Sequence, residues 1–375
     1  MNNKFDDIRP YYDSEISPAM QRISKDDYFA ILSSFVFPSK NVDEVREMVS
    51  SISTVREFQN EIMYKANRRI IEQTITNLSY SGLENISANE SYVYLSNHRD
   101  IMLDASLLQN ILVDNDFDTT EITFGANLMR GQLVIDIGKS NKMFRVERPT
   151  GNMRDFYFAS KHLSEYIRTA VYDRKSSVWI AQRNGRTKDG IDRTDQGIIT
   201  MFRMSGKDMI TSITDLNILP IAISYEWEPC DMLKAQELAA SKKGPYVKKD
   251  GEDLNSIITG IMQFKGNVHI EICKPLTSDD LKQCEGMPSS DFNKYVASLI
   301  DKRICSSYKL MPNNYIAHDI VSKSSTYAEF YTQEQREAFI QHLNKANKFE
   351  NFEEIKEILL GIYANPVDSY IQYMK

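Results

Sequence analysis

The chain has 375 residues, 42% of them apolar and 26% charged, and its 45 basic and 52 acidic side chains leave a formal charge of −7. This is globular composition, which excludes wholesale disorder and fibrous repeats, and the length suits two domains or one large domain with an appendage. The charge is uneven: the window Lys139–Arg193 carries 13 basic residues against six acids, a local net of +7, which favours a small anionic ligand while the acidic remainder repels a nucleic acid.

Residues 1–90 read as a mainly helical N-terminal region, because Val45, Met48, Val49 and Ile52, and then Ile62, Ala66, Ile70, Ile71 and Ile75, recur at three- and four-residue spacing. Within it, Tyr28–Phe37 is a nearly uncharged apolar run of ten residues, far short of the roughly 18 that cross a bilayer. The first residues, MNNKFDDIRPYYDSE, are polar and acidic and show no secretory leader. A cytoplasmic protein without a spanning helix is expected.

A turn-rich stretch at 81–91 precedes the short strand signal Tyr92–Leu95, which runs straight into Ser96-Asn97-His98. Ile101–Leu112 is apolar at helical spacing, Glu121–Phe124 resembles a short strand, and Asn152–Tyr172 places Phe156, Leu163, Tyr166, Ile167, Ala170 and Val171 on one helical face. Ser177–Ala181, Ile218–Tyr225 and Val268–Ile272 are further strand-like runs. Strands alternating with helices over this span predict an α/β fold. Glu237–Asp253 is polar and lysine-rich and reads as a surface excursion, and the chain after Leu276 is mainly helical, as in Gln333–Leu343 and Phe352–Tyr363. Cys230, Cys273, Cys284 and Cys305 form no C-x-x-C pair and have no metal-like spacing to histidine, so neither a disulfide scaffold nor a metal site is expected.

Of the five histidines, His98 alone ends a strand, precedes a helix and has carboxylates close by, at Asp100 and Asp104. A neutral imidazole there can take a proton from an alcohol while a carboxylate fixes its tautomer. Asp100 is also placed to cap the helix that follows. The tripeptide His98-Arg99-Asp100 matches part of the protein-kinase catalytic loop, but the position five residues after the aspartate is Ala105 instead of asparagine, and no DFG or glycine-rich loop accompanies it. No G-x-S-x-G, Walker A, G-x-G-x-x-G or H-E-x-x-H pattern occurs.

Together with three later segments, the His98 region resembles the glycerolipid acyltransferase family, whose first motif is N-H-x4-D. Met143-Phe144-Arg145-Val146-Glu147-Arg148 is similar to the family's second block, Trp179-Ile180-Ala181-Gln182-Arg183-Asn184-Gly185-Arg186-Thr187 to its third, and Ile218-Leu219-Pro220-Ile221-Ala222 to its fourth. A family-like ending follows in Gly266–Glu271 and Lys274-Pro275-Leu276. The resemblance covers roughly residues 91–276 and departs from the family twice. Five residues separate His98 from Asp104, so the partner carboxylate is either Asp104, which is preferred, reached through an altered loop, or Asp100. Asn184 stands where the third block has glutamate, and Arg186 directly follows Gly185.

The resemblance implies a mixed sheet flanked by helices over 91–276, with a helical region at 1–90 and another at 277–375. It implies acyl transfer from an acyl-carrier-protein or coenzyme A thioester to a hydroxyl of glycerol 3-phosphate or lysophosphatidate, with His98 as general base and Asp104 beside it. No cofactor and no metal are needed. Arg145, Arg148, Arg183 and Arg186 would hold the acceptor phosphate through forked hydrogen bonds, with Asn184 and Gly185 in the third-block loop. Amphiphilic substrates imply a peripheral protein on the inner face of the membrane, with Tyr28–Phe37 and Lys242–Lys249 as contact candidates, although the first reads more readily as a core helix and the second as a solvated loop. Alternatives are transfer to another hydroxylated lipid, such as an acyl-amino-acid lipid, or a non-catalytic lipid- or acyl-carrier-binding module.

Overall fold

The computed structural model describes residues 4–147 and 152–374. Its centre is a sheet of seven strands: β1 (Ile75–Ser81), β2 (Val93–Ser96), β3 (Glu121–Gly125), β4 (Met143–Val146), β5 (Val178–Ala181), β6 (Ile218–Tyr225) and β7 (Gly266–Ile272). They lie in the order β1-β7-β6-β2-β5-β3-β4. The strands from β6 to β4 are parallel, β7 is antiparallel to β6, and β1 is parallel to β7. The sheet is therefore mixed, and helices flank it and extend from both ends.

The central strands are apolar on both faces because both faces are covered. Val93, Leu95, Val178, Ile180 and Ile218 join the helices Met153–Tyr172 and Ser289–Ser307 in one core. Their alternating neighbours Tyr94, Trp179, Leu219, Ile221 and Ile223 pack with the helix Leu103–Asp114 in the other. All eight residues of β6 are buried.

Two smaller cores lie at the ends of the chain. The N-terminal helices gather around Ile16, Met20, Val45 and Phe58 and attach to the helix Gln132–Ser140 through the buried Asp136. That carboxylate pairs with Arg22 at 2.7 Å and accepts from Tyr11 at 2.8 Å; burial and Asp136 push the Tyr11 hydroxyl up to about 12. The C-terminal helices pack with the helix Asp231–Lys242 around Phe339, Leu359, Ile362 and Tyr363. All four cysteines are buried and free. Among the described residues no helix is long and apolar enough to cross a membrane.

Two local expectations change. Residues 75–81, inside the stretch read as helical, form β1 on the sheet edge beside β7. The helix read from Ile101 begins at Leu103, since the residues before it are held in a loop by Asp100 and Asp104.

Candidate active site

Five parallel strands end on the same side of the sheet, and His98 leaves the end of β2 there. Such carboxyl ends are where α/β sheets present their reactive loops. Asn97 continues the ladder with its side chain after the backbone has turned away: its amide oxygen accepts from Ile223 N at 2.8 Å and its amide nitrogen donates to Ile223 O at 3.0 Å. This fixes the direction in which His98 departs. The imidazole meets the edge of Trp179 with ring centroids 5.9 Å apart, and its side chain keeps 14% of its surface open.

Asp104 is fully buried and organises the loop. Its Oδ2 accepts from His98 Nδ1 at 2.9 Å, from Arg99 N at 2.6 Å and from Asp100 N at 2.9 Å, and its Oδ1 accepts from Tyr225 OH at 2.9 Å. With Nδ1–H directed at this oxygen, the lone pair of the neutral ring is on Nε2. Between His98 and Asp104 the chain turns two successive amides onto one carboxylate oxygen. Burial, reinforced by Asp104 and Asp100, pushes the Tyr225 phenol well above its usual range, so it keeps the proton that it donates to Asp104. Asp100 has another job: its Oδ1 accepts from Met102 N and Leu103 N, both at 2.9 Å, and turns the chain into the Leu103–Asp114 helix.

Below the loop lies a buried, charge-balanced network. Arg99 donates to Asp192 at 2.6 Å, to Glu228 at 3.3 Å and to Gly190 O at 3.3 Å, and it lies over the Tyr308 ring. Burial disfavours its charge, but Asp192, Tyr308 and Glu228 more than restore it, so the guanidinium holds its proton even more firmly than usual. Lys234 donates to Glu228 at 2.5 Å and to Arg99 O at 2.6 Å. Two cations thus face two carboxylates with their hydrogen bonds largely met, as burial of charge requires.

The third-block loop is tied to the same centre. Thr187 N donates to His98 O at 2.7 Å, and Thr187 Oγ1 donates to Asp192 at 2.9 Å. Arg186 is 8% exposed, and its Nη1 is buried with no hydrogen-bond partner. Its guanidinium lies beside the Cys230 thiol, which burial and then Asp100 push up while Arg186 pulls it down. Asp100 Oδ2 is also buried and unpartnered. Nearby, burial lowers Lys265 to about 8 against the pull of Asp100. Arg183 is half-buried, Asn184 exposed, and Gly185 turns the loop at φ +75°.

The structure brings His98, Asp104 and Arg186 together in one connected region. Arg145 is elsewhere: β5 and β3 separate its strand from β2, a span of about 14 Å. Its guanidinium pairs with Glu147 at 2.7 Å, and it lines a surface cavity with Asp7, Ile8 and His162 that none of the other site residues borders. Arg148 lies outside the described residues. Sequence reasoning gave no site role to Tyr225, Trp179, Asp192, Glu228 or Lys234. Tyr225 carried a faint signal, as the hydroxyl-bearing residue that closes an uncharged strand.

Residues 77–224 match the family model described as Acyltransferase. No curated protein matches the chain. Among solved structures it is similar to the 1-acyl-sn-glycerophosphate (LPA) acyltransferase PlsC from Thermotoga maritima, at 13% identity and a TM-score of 0.38, covering 76% of this chain and 91% of that one.

Proposed function

Starting from an acyltransferase-family domain at residues 77–224, we propose that this chain moves an acyl group from a carrier-protein or coenzyme A thioester onto a hydroxyl of glycerol 3-phosphate or lysophosphatidate. The observation that carries the reading is the His98 Nδ1 to Asp104 Oδ2 contact of 2.9 Å, which leaves Nε2 as the basic atom. Nε2 takes the proton of the acceptor hydroxyl as its oxygen attacks the thioester carbonyl carbon. The tetrahedral intermediate collapses with cleavage of the C–S bond, and the imidazolium returns the proton to the departing thiolate. Asp104 holds the tautomer and stabilises the transient imidazolium. No acyl-enzyme forms, and neither a metal nor a cofactor takes part.

Arg186 is the phosphate ligand best supported, because a buried guanidinium with an unmet Nη1 is costly unless an anion completes it; Arg183 stands next in the same loop. The amides of Arg99 and Asp100 are engaged by Asp104, which leaves the turn at Asn184 and Gly185 as the source of donors for the developing oxyanion. Amphiphilic substrates put the protein at the periphery of the membrane, on its inner face.

The test is acyl transfer by purified protein from an acyl thioester to each acceptor in parallel. His98→Ala is expected to lower turnover by about 10³-fold or more while the circular dichroism spectrum is unchanged. Retained turnover in the variant overturns His98 as base, and product with neither acceptor overturns the phosphorylated substrate.

A further inference from the structure

The helix Glu252–Met262 is apolar on both faces. It buries Ser256 and Gly260 and packs the partly buried Ile261 against the core, whereas Leu254, Ile258 and Met262, at four-residue spacing, are 60%, 52% and 56% exposed. A helix lying on a soluble core ordinarily keeps its large apolar side chains inward and presents polar ones to water, so the outward apolar stripe calls for an explanation. The reason for the small inner face is visible: a Cβ on Gly260 would stand 2.1 Å from Asp100 Oδ2, and Ser256 O accepts from Cys230 Sγ at 3.2 Å. The helix backbone therefore lies directly against the loop that carries His98, and the outward stripe is about one helix diameter, 10 Å, above it.

Val247 and Phe264, which flank the helix along the chain, are also exposed. The segment leading into the helix carries Lys242, Lys243, Lys248 and Lys249, all exposed. Lys242 and Lys248 face Glu354 and Asp253, whereas Lys243 and Lys249 form no ion pair among the described residues. Large apolar side chains in a row beside free lysines match the chemistry of an anionic lipid surface, in which the side chains enter the boundary below the headgroups and the ammonium groups meet phosphates.

The geometry points to the Glu252–Met262 helix, with the lysine segment before it, as the surface that docks this protein on an anionic bilayer and holds the His98 loop over it. This rests on the peripheral-membrane reading above, but it is tested without any acyl transfer. Full-length protein is sedimented with vesicles of phosphatidylcholine plus phosphatidylglycerol and with vesicles of phosphatidylcholine alone. The wild type binds the mixed vesicles, and the triple variant Leu254→Ser, Ile258→Ser, Met262→Ser binds them on the order of 100-fold more weakly. Lys243→Glu with Lys249→Glu removes the preference for phosphatidylglycerol. Ile258→Trp shifts its emission to the blue on addition of vesicles, a readout independent of the triple variant's folding.

Unchanged binding of the triple variant, absence of wild-type binding, or an unshifted Ile258→Trp emission overturns the proposal. So does a triple variant that keeps vesicle binding and loses acyl-carrier-protein binding, which assigns the stripe to a protein. A chain that docks through this stripe yet transfers no acyl group overturns the reaction proposed above and supports the surface.

Discussion

Asp104 serves four donors at once, and each constrains the others. His98 is oriented through Oδ2, which also receives two backbone amides, while Tyr225 secures Oδ1 from the neighbouring strand. Tyr225→Phe removes that last donor and leaves a buried carboxylate oxygen unmet, at a cost of about 1–3 kcal/mol in stability. The expected kinetic result is a fall in kcat of about tenfold with little change in KM, since in the proposed reaction the phenol would position His98 without touching substrate. An unchanged kcat removes Tyr225 from the positioning set. At this scale the sequence showed the His98–Asp104 pair, which the structure brings into contact, but not its supports. His98 and Asp104 are neighbours along the chain, whereas Tyr225 comes from 121 residues away, and such a contact leaves no periodic or spacing signal.

Among the elements, legibility followed burial. β6 is buried along its whole length and reads as an unbroken apolar run. β1 fails for the opposite reason. Its sequence ITNLSYS lies on an edge, largely exposed, and its pairing partner β7 supplies the order that its own alternation lacks. The helix Glu252–Met262 is apolar at the positions that face water, so its pattern cannot show which face packs.

Another inter-element tie has a pH signature. Asp301, on the helix Ser289–Ser307, accepts from both N and Oγ1 of Thr194. Burial nonetheless raises its carboxyl to about 6, with the two Thr194 hydrogen bonds opposing. A raised acid binds more protons folded than unfolded, so its stabilising contribution is full below the unfolded value near 4 and is lost as pH rises through about 6. Asp301→Asn keeps an acceptor for Thr194 and removes the charge. The variant should match the wild type near pH 4 and exceed it by about 2–3 kcal/mol above pH 6, read as a difference in Tm across the pH range. Equal Tm values at both ends of the range would mean that the carboxylate is accommodated without cost.

For the whole molecule, the family-like span and the folded unit are different things. The segment 91–276 holds the site residues, but its sheet is finished by β1, and Lys265 at its end donates to Thr74 Oγ1 at 2.9 Å. One face of the sheet is closed by Phe292, Val296, Ile300 and Ile304 from beyond residue 276. The isolated piece 91–276 is therefore expected to lack a cooperative thermal transition, whereas the full chain shows one. A cooperative transition in the fragment would establish it as a domain in its own right.

The closest brace on the third-block loop comes from still further along the chain. A Cβ on Gly190 would stand 2.2 Å from Ile362 O, Asn365 donates to Asp189 O at 2.7 Å, and the Tyr363 hydroxyl joins Glu228 N to Asp231. These partners are synthesised long after the loop they support. During translation the chain therefore leaves the ribosome with the turn at Asp189 and Gly190 held by its tie to Arg99 but lacking the support of the helix Phe352–Met374. Full support of the candidate site then waits for that helix, so a nascent chain lacking it does not carry the finished centre of the mature one.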